Sequence, residues 1–256
     1  MSKKFYNVII PTFNNEATLQ RAVDSVFKQT FTDYRLIIVD DCSTDKTREI
    51  ISKIKKADVV MLTEKRYNGG SRNVGVEAGG ESEYTLFLDA DDEFIDSQCF
   101  QKLHDLIVKA NYPDMVRLSY RKHYDDTHFE KDFVLRRDGT TIEEICWSKR
   151  VAPWTKAIKT EKFTPFPENT LFEDVVQHIK QCDITDTFAF YDEPVVRWHI
   201  HDKSTSHNNS PKWQSSIYRF VADLMDLEVE HEWAKFRRDK KIKGAKRSIA
   251  DGKAVQ

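Results

Sequence analysis

A group of closely spaced carboxylates at the end of an apolar segment is the part of this sequence best suited to chemistry. The segment Tyr84 to Leu88 leads directly into Asp89-Ala90-Asp91-Asp92-Glu93, which places four acidic residues in five positions. Carboxylates this close repel one another, and burial at a strand end further disfavours their charged forms. A divalent cation relieves both costs. Mg²⁺ and Mn²⁺ prefer oxygen ligands, and substrate phosphates often supply some of them. The segment therefore indicates a metal site for a phosphorylated substrate, with an acidic helix N-terminus as the alternative.

Length and composition are those of an ordinary globular chain. It has 256 residues and a formal net charge of −2, so any binding of polyanions must be local. The four cysteines are widely spaced without a C-x-x-C pair, which argues against zinc-finger spacing and a disulfide framework and favours a reducing compartment. No apolar run approaches the roughly 20 residues that span a bilayer, and the first residues are too polar for a signal peptide. We expect a cytoplasmic protein, at most peripheral to a membrane.

Apolar β-branched segments alternate with helical periodicity in the first part of the chain, which predicts β-α-β units and a mostly parallel sheet. Strands are predicted over 7–10, 36–39, 59–62 and 84–88, with helices over 16–29, 46–55 and 69–78 between them. Pro11 is expected to end the first strand. After residue 96 the alternation weakens; the predicted elements are a helix over 98–110, a strand over 115–120, a polar connection over 124–132, a mixed region, a strand over 195–199 and a helix over 213–233.

The polar segments that follow these strands are expected to lie at the same edge of the sheet. In an open α/β sheet, ligands bind outside the carboxyl ends of the strands. We therefore expect Thr12 to Asn14, Asp40-Asp41 and Asp89 to Asp92 to lie at one site.

Five motifs occur in an order typical of one family. They are V-I-I-P-T-F-N (8–14), V-D-D-C-S-T-D (39–45), G-G-S-R-N-V-G (69–75), F-L-D-A-D-D (87–92) and L-F-E-D-V (171–175). With these motifs the chain resembles the family 2 glycosyltransferases, which have the GT-A fold and transfer sugars from nucleotide diphosphate donors with inversion. The resemblance implies an α/β, Rossmann-like GT-A domain over 1–207, with a nucleotide-sugar half (1–96) and an acceptor half (97–207). Residues 208–256 would then form a C-terminal helical extension with a basic tail.

The resemblance also assigns roles around the donor. Asp41 matches the position that accepts a hydrogen bond from the base imide, which favours a UDP-sugar. Gly70 would let the backbone approach the ligand, and Arg72 would supply a fixed cation, unless it is merely an exposed residue at a helix start. The donor-binding set implied by the resemblance is Pro11, Thr12, Asn14, Glu16, Asp41, Gly70, Arg72, Asp89, Ala90 and Asp92.

The resemblance also assigns the metal ligands and the general base. Asp89 would contact the ribose, and Asp91 would bind the Mn²⁺ or Mg²⁺ that bridges the phosphates. For Asp92 three roles stay open: assisting the metal, contacting the transferred sugar or contacting the acceptor. Glu173 and Asp174 match the family's acidic pair, whose second member is usually the base that deprotonates the acceptor; an acidic helix N-terminus is the alternative. Trp154 and Lys156, just upstream, would shape the acceptor side.

The histidine-rich segment after the last predicted strand offers further candidates. The resemblance suggests His201 as an additional metal ligand, and His199 would share its face because positions two apart in a strand do so. A solvated loop is the alternative, and Lys203 and Ser204 could close over the diphosphate as a lid. From His231 onward, nine Lys or Arg stand against three Asp or Glu, with little apolar periodicity. This tail either holds an anionic acceptor or is a solvated, partly disordered end.

The sequence thus predicts a metal-dependent inverting glycosyltransferase that moves a sugar from a nucleotide diphosphate donor to a hydroxyl, such as that of a surface glycan or polymer. Transfer to hydroxymethylated bases of DNA is one alternative, and a catalytically silent sugar-nucleotide-binding protein is another. A nucleotidylyltransferase is disfavoured because 11–14 is not the Gly-rich loop that such enzymes carry after their first strand.

Overall fold

The structure, a computed structural model, describes residues 3–135, 140–148, 151–168, 170, 172–201 and 211–251, with side chains described at all of these except 211–217 and 251. Within these residues, nine strands form one sheet. The strands are β1 (Lys4–Thr12), β2 (Tyr34–Asp40), β3 (Asp58–Met61), β4 (Ser82–Phe87), β5 (Glu93–Phe94), β6 (Met115–Tyr124), β7 (Phe129–Phe133), β8 (Lys156–Lys159) and β9 (Phe188–Ile200). The helices are α1 (Leu19–Phe27), α2 (Thr47–Lys53), α3 (Tyr67–Gly79), α4 (Cys99–Lys109), α5 (Ile142–Cys146), α6 (Glu173–Asp183), α7 (Pro211–Met225) and α8 (Glu232–Asp251).

The first four strands form the parallel part of the sheet, in the order β3-β2-β1-β4. The central strand β1 is buried from Phe5 to Thr12. This burial explains its continuous apolar sequence, because helices cover both faces of such a sheet. The register places Thr12 opposite Asp40 and Ile9 opposite Phe87, so the polar segments after β1, β2 and β4 begin at the same edge.

Pro11 does not end the first strand as predicted, because β1 continues through it to Thr12. The backbone oxygen of Ile9 accepts the N–H of Leu88, so the odd-numbered residues of β1 direct their backbone groups towards β4. Since β4 ends at Phe87, Pro11 lies beyond the pairing on that side and its missing N–H breaks no ladder bond.

The second part of the sheet is mixed. Strand β8 is antiparallel to both β4 and β6, whereas β9 is parallel to β6 and carries β5 at its far side. The predicted polar connection over 124–132 was wrong in part, because Phe129–Phe133 forms β7, a hairpin partner of β6. Its residues are mostly exposed and charged, so the hydrophobic alternation that marks a strand is missing. Strand β9 also begins earlier than predicted, at Phe188.

Helices α1 and α4 pack against the sheet through one large apolar cluster that includes Leu19, Val23, Phe100 and Leu103. A separate cluster, formed by Ile9, Ile37, Val39, Phe87 and Phe166, involves the other side chains of the same parallel strands. The alternation of Val8 and Ile10 with Ile9 between these two clusters shows that both faces of β1 are covered.

The basic tail forms helix α8 over Glu232–Asp251, so the alternative of a partly disordered end was wrong for these residues, although many of their charged side chains are exposed to solvent. The single helix predicted over 213–233 is replaced by α7 and α8, which pack on α5 and α6. Between them the carboxylate of Asp183 accepts the backbone N–H groups of Glu230 and His231 (2.8 and 2.9 Å). The buried residues of α8 are Ala234, Ala245 and Arg237, and Ile242 and Ile249 pack partly buried against the same cluster. These apolar residues are few among the charged ones, so the periodic signal in the sequence is weak.

In the described part of the chain, no helix combines the length and the apolar character needed to cross a membrane.

Candidate active site

The loops after β1 and β2 are joined by hydrogen bonds at the carboxyl edge of the sheet. Asn14 donates its backbone N–H to Ser43 Oγ (3.0 Å), and its Oδ1 accepts the N–H of Thr44 (2.8 Å). Glu16 Oε2 accepts the N–H of Lys46 (3.0 Å). Asn14 has a positive φ of 54°, which asparagine tolerates better than most residues. Asn14 and Glu16, both predicted to contact the donor, therefore also fix the shape of this edge.

Asp41 is fixed at the N-terminus of α3. It is buried, and its two carboxylate oxygens accept the backbone N–H groups of Arg66 (2.6 Å) and Tyr67 (2.9 Å). Thr12, also buried, accepts the N–H of Asp41 through its backbone oxygen (2.8 Å). Each carboxylate oxygen has two acceptor positions, so these bonds are compatible with the predicted contact to a base.

Gly70 serves a different purpose from the predicted approach of backbone to ligand. A Cβ atom at Gly70 would lie 2.6 Å from Arg66 Cβ and 3.3 Å from Glu168 Cδ. At the preceding Gly69 it would lie 2.4 Å from the backbone oxygen of Pro167. The space beside both glycines is thus filled by protein, and the G-G pair permits close packing of α3 against residues 167 and 168.

Arg72 is the centre of a buried ion network, so the alternative of an exposed helix-start arginine was wrong. Its side chain is 2% exposed and donates to Asp89 Oδ1 (2.7 Å) and Glu173 Oε1 (2.8 Å). Burial raises the pKa of Glu173 to about 7 against the opposing effect of Arg72. Through Arg72, the acidic segment after β4 is joined to the first residue of α6, although 84 residues separate Asp89 and Glu173 in the sequence.

Asp91 and His201 lie together as predicted for a metal site. Asp91 Oδ2 is 3.2 Å from His201 Nε2. Burial and the neighbouring Asp89 raise the pKa of Asp91, against the opposing effect of His201. The carboxylate oxygens of Asp91 suit Mn²⁺ or Mg²⁺, and the imidazole of His201 is a ligand more typical of transition metals. The helix N-terminus alternative for this segment was wrong, because β5 follows it and the next helix begins only at Cys99.

Asp92 and Ala90 face the interior. Asp92 is 1% exposed, and its Oδ1 accepts the backbone N–H of His199 (2.9 Å). Burial, with Asp91 and Asp89 adding to it, raises its pKa well above the usual range. Ala90 is part of the main apolar cluster. Neither side chain is placed to contact a donor as predicted; Asp92 instead connects the acidic segment to β9.

Glu173 and Asp174 form the first turn of α6, where the helix dipole favours negative charge. Asp174 is the more exposed of the two. Burial raises the pKa of Asp174, while Lys156 and Arg72 act in the opposite direction. The carboxylates lie at a helix N-terminus, as the alternative predicted, and Arg72 also joins Glu173 to Asp89, while the role of Asp174 as base stays a prediction.

Trp154 and Lys156 do not shape an acceptor surface as predicted, because their side chains are 4% and 0% exposed. Lys156 Nζ donates to the backbone oxygen of Val151 (2.8 Å) and lies 3.4 Å from His178 Nδ1. Burial, together with the nearby Arg117, lowers the pKa of Lys156 to about 7. Lys203 and Ser204, the suggested lid, are outside the described residues.

One contributor gave no signal in the sequence. Arg21, within the amphipathic helix α1, donates a hydrogen bond to the backbone oxygen of Asp91. Arg21 therefore anchors the acidic segment to α1, in addition to the contact that Arg72 makes from α3. Helix periodicity identifies Arg21 only as a polar position, since the contact depends on how α1 packs against the sheet.

The parallel strands, the acidic segment after β4 and the acid pair of α6 together define an α/β protein of the GT-A type. Comparison with known proteins gives the family. The profile described as Glycosyl transferase family 2 matches residues 7–167, and the chain belongs to this family.

Among curated relatives, the poly(ribitol-phosphate) beta-N-acetylglucosaminyltransferase TarP of Staphylococcus aureus is 42% identical over 208 residues, covering 73% of this chain and 62% of TarP. The Escherichia coli enzyme WfaP, a UDP-Glc:alpha-D-GlcNAc-diphosphoundecaprenol beta-1,3-glucosyltransferase, is 31% identical over 54% of this chain and 52% of its own length. The chain therefore spans less than two thirds of the length of either relative.

Solved structures show the same fold. The S. aureus TarS fragment 1-349 in complex with UDP-GlcNAc superposes with a TM-score of 0.70 at 19% identity, covering 96% of this chain and 73% of that one. A mannosyltransferase from Pyrobaculum calidifontis, in complex with GDP-Man and Mn²⁺, gives a TM-score of 0.62 at 15% identity, covering 97% of this chain and 70% of that one.

Proposed function

We propose that the chain is a metal-dependent inverting glycosyltransferase that moves a sugar from a UDP-sugar to a hydroxyl group of a surface glycan or polymer. The observation that carries this proposal is the Asp89–Arg72–Glu173 network. It joins the acidic segment after β4 to the first turn of α6. As a result, a candidate metal ligand, a candidate ribose contact and a candidate base lie around one edge of the sheet.

The donor would lie along the carboxyl edge of β1, β2 and β4. Asp41 would accept the imide N–H of uracil, with Pro11, Thr12 and Asn14 beside the nucleoside. Asp89 is 32% exposed despite its bond to Arg72, so its carboxylate can also accept a ribose hydroxyl. Arg72 would act by holding Asp89 rather than by contacting phosphate, because its own side chain is buried.

Asp91 and His201 would hold the metal. When bound, a divalent cation neutralises charge that develops on the departing diphosphate. The distance between Asp91 Oδ2 and His201 Nε2 and the raised pKa of Asp91 support this assignment. Arg72 offsets part of the remaining charge at this edge, since it pairs with both Asp89 and Glu173.

Asp174 would act as the general base. Its carboxylate takes the proton of the acceptor hydroxyl while the hydroxyl oxygen bonds to the anomeric carbon, and the bond from that carbon to the nucleoside diphosphate breaks. Attack on the face opposite the leaving group inverts the anomeric configuration. A raised pKa makes Asp174 a better proton acceptor than an ordinary aspartate, since a base is most effective when its pKa approaches the working pH.

Relatives suggest where to begin with the substrates. TarS binds UDP-GlcNAc in its solved complex, and TarP is named for N-acetylglucosamine transfer to poly(ribitol-phosphate). An anionic acceptor also suits helix α8, whose Lys240, Lys243, Lys246 and Arg247 are exposed. We therefore take UDP-GlcNAc and a polyol-phosphate polymer as the first pair to test.

The decisive experiment measures sugar transfer with Mn²⁺ for the wild type and for Asp174→Asn. Loss of the base should lower turnover by about 10²- to 10⁴-fold, because general-base catalysis supplies that much. Binding of UDP, followed by calorimetry, should be unchanged. Asp186→Asn is a matched control, since this exposed carboxylate follows α6 and pairs only at the surface with Lys162.

Equal loss of turnover and UDP affinity in Asp174→Asn would make Asp174 a structural residue. Absence of both transfer and donor hydrolysis across UDP-sugars, with UDP still bound, would favour the silent binding protein instead. Transfer to hydroxymethylated DNA but not to surface polymers would move the acceptor assignment to nucleic acid.

A further inference from the structure

A second cluster with metal-ligand chemistry lies on strands β5, β6 and β9, outside the residues assigned to donor, metal or base. His123, Asp125 and His199 each offer one ligand atom, and these atoms all lie within 4.8 Å of one another. His123 and His199 are register partners on the parallel strands β6 and β9, with ring centroids 4.9 Å apart. Asp125 follows β6 directly, in the turn to β7. Two imidazoles and one carboxylate thus converge from three places in the chain.

Both histidines direct one ring nitrogen towards Asp125. His199 Nδ1 is 2.7 Å from Asp125 Oδ1, and His123 Nε2 is 3.6 Å from the same oxygen. The ligand atoms of a tetrahedral zinc site lie about 3.3 to 3.5 Å apart, given bonds of about 2.0 to 2.2 Å. The His123–Asp125 distance is close to this spacing, whereas His199 and Asp125 are at hydrogen-bond distance and would move apart by about 0.6 Å on binding Zn²⁺.

The opposite ring nitrogens both contact glutamates. His199 Nε2 is 3.3 Å from Glu93 Oε1, and His123 Nδ1 is 3.1 Å from Glu130 Oε1. Arg197 binds these two glutamates, at 2.7 Å to Glu93 and 2.9 Å to Glu130. Metal-bound histidines usually donate their second ring nitrogen to a carboxylate, which fixes the tautomer and the ring orientation. Two such carboxylate–histidine pairs around one point are an arrangement that supports a metal ion.

Charge at the cluster also fits a dication. Among the described residues, the ion pairs that link to the side chains of the two histidines, directly or through an arginine, contain four carboxylates and two guanidinium groups. They are Glu93, Asp125, Glu130 and Asp132 against Arg121 and Arg197. With neutral imidazoles this leaves two negative charges, which one divalent cation neutralises. Lys122 does not contribute to this balance, because it lies over the ring of Trp198 on the alternate face of β6.

We propose that His123, Asp125 and His199 bind Zn²⁺, or a cation of the same borderline chemistry, at a site separate from Asp91 and His201. Imidazole nitrogen with carboxylate oxygen is a typical zinc ligand set. The ion would join the β6–β7 turn to β9, where the backbone N–H of His199 binds Asp92 of the acidic segment. It would thus stabilise the strand end that carries His201.

The test uses the full chain after removal of metals, with Zn²⁺ alone as the probe. Binding is measured by equilibrium dialysis and elemental analysis in the Asp91→Asn background, which removes the other carboxylate ligand. We expect one Zn²⁺ per chain and a rise in melting temperature on its addition, because a ligand that binds the native state stabilises it. Replacement of Zn²⁺ by Co²⁺ should give the intense visible absorption of a four-coordinate site.

Adding His123→Ala should weaken Zn²⁺ binding at least about 100-fold, and Glu130→Gln, which leaves all three ligands in place, about 10- to 100-fold. Glu130→Gln keeps the test valid if His123→Ala misfolds, and circular dichroism checks that both variants are folded. His104→Gln is the matched control, since it removes a histidine that also contacts an aspartate, Asp105, on α4. Equal affinity in His123→Ala and His104→Gln, or no bound Zn²⁺ in Asp91→Asn, would overturn the proposal without bearing on sugar transfer.

Discussion

Two networks of ion pairs occupy this sheet, and they differ in burial. At the carboxyl edge of β1 and β4, Arg72 and Glu173 are 2% and 8% exposed, and the arginine serves two carboxylates. On β6, β7 and β9, Arg121 pairs with Glu130 and Asp132 at 30 to 44% exposure. Both networks connect distant parts of the chain: the first joins the segment after β4 to α6, and the second joins the β6–β7 hairpin to β9 and β5 through Arg197.

Burial changes what each network contributes. An exposed ion pair is typically worth 0 to about 1 kcal/mol, because water screens the charges and the side chains lose entropy. A buried pair gains little net stability from its charges, but removal of one partner leaves the other uncompensated. The buried network at the carboxyl edge therefore depends on each of its members, whereas the exposed network on β6, β7 and β9, here called the outer network, does not.

The largest difference should appear in turnover. Asp91→Asn should lower sugar transfer by about 10²-fold or more, because the metal it would hold is worth several kcal/mol in the transition state. Asp132→Asn, which removes a carboxylate of the outer network, should leave the rate of sugar transfer within about twofold of the wild-type rate. Steady-state kinetics over a Mn²⁺ titration would measure both. Full activity of Asp91→Asn at ordinary Mn²⁺ concentrations would remove the metal assignment.

The next difference concerns stability. Arg72→Met should lower the free energy of unfolding by about 3 to 5 kcal/mol, because Glu173 would lose its buried partner. Arg121→Met should lower it by less than about 1 kcal/mol. Urea denaturation in metal-free buffer at pH 7 gives both values. Similar losses for the two arginines would show that burial does not separate the networks.

The smallest effect is a pH slope at the carboxyl edge. Lys156 has a pKa of about 7 in the folded chain against 10.5 for an ordinary lysine. Below pH 7 both states carry the proton; between pH 7 and 10.5 only the unfolded state does, so stability should rise with pH across this window. Lys156→Met should remove up to about 1.4 kcal/mol of this rise per pH unit. Denaturation at pH 7, 8 and 9 measures it, and parallel curves for both proteins would contradict it.

Much of the parallel half could be predicted, because its signals are local. Each strand is a short β-branched segment, and each ends in polar residues such as Asp40-Asp41 or Asp89 to Asp92. Once the strands are parallel, these ends must meet at one edge. The family motifs added the pairing of this edge with Glu173 and Asp174, which spacing alone does not supply.

The second half was harder to predict because its elements depend on distant partners. Strand β7 consists mainly of exposed charged residues and exists through its pairing with β6. Helix α8 packs through Ala234 and Ala245, with Ile242 and Ile249 partly buried beside them, and these few apolar residues stand among many charged ones. Prediction of the site was limited in the same way, because the burial of the Asp92 side chain and the filled space beside Gly70 both depend on tertiary packing.

The sequence by itself determined the order of strands and helices in the first half, the edge at which ligands should bind and the types of residues available there. These follow from hydrophobic periodicity and from carboxylate spacing, which are properties of neighbouring residues. Only the tertiary structure decided that Arg72 holds Asp89 to Glu173, that Asp92 binds β9, and that His123, Asp125 and His199 meet. Such contacts join residues many positions apart, and burial, which sets their charge states, exists only in the folded chain.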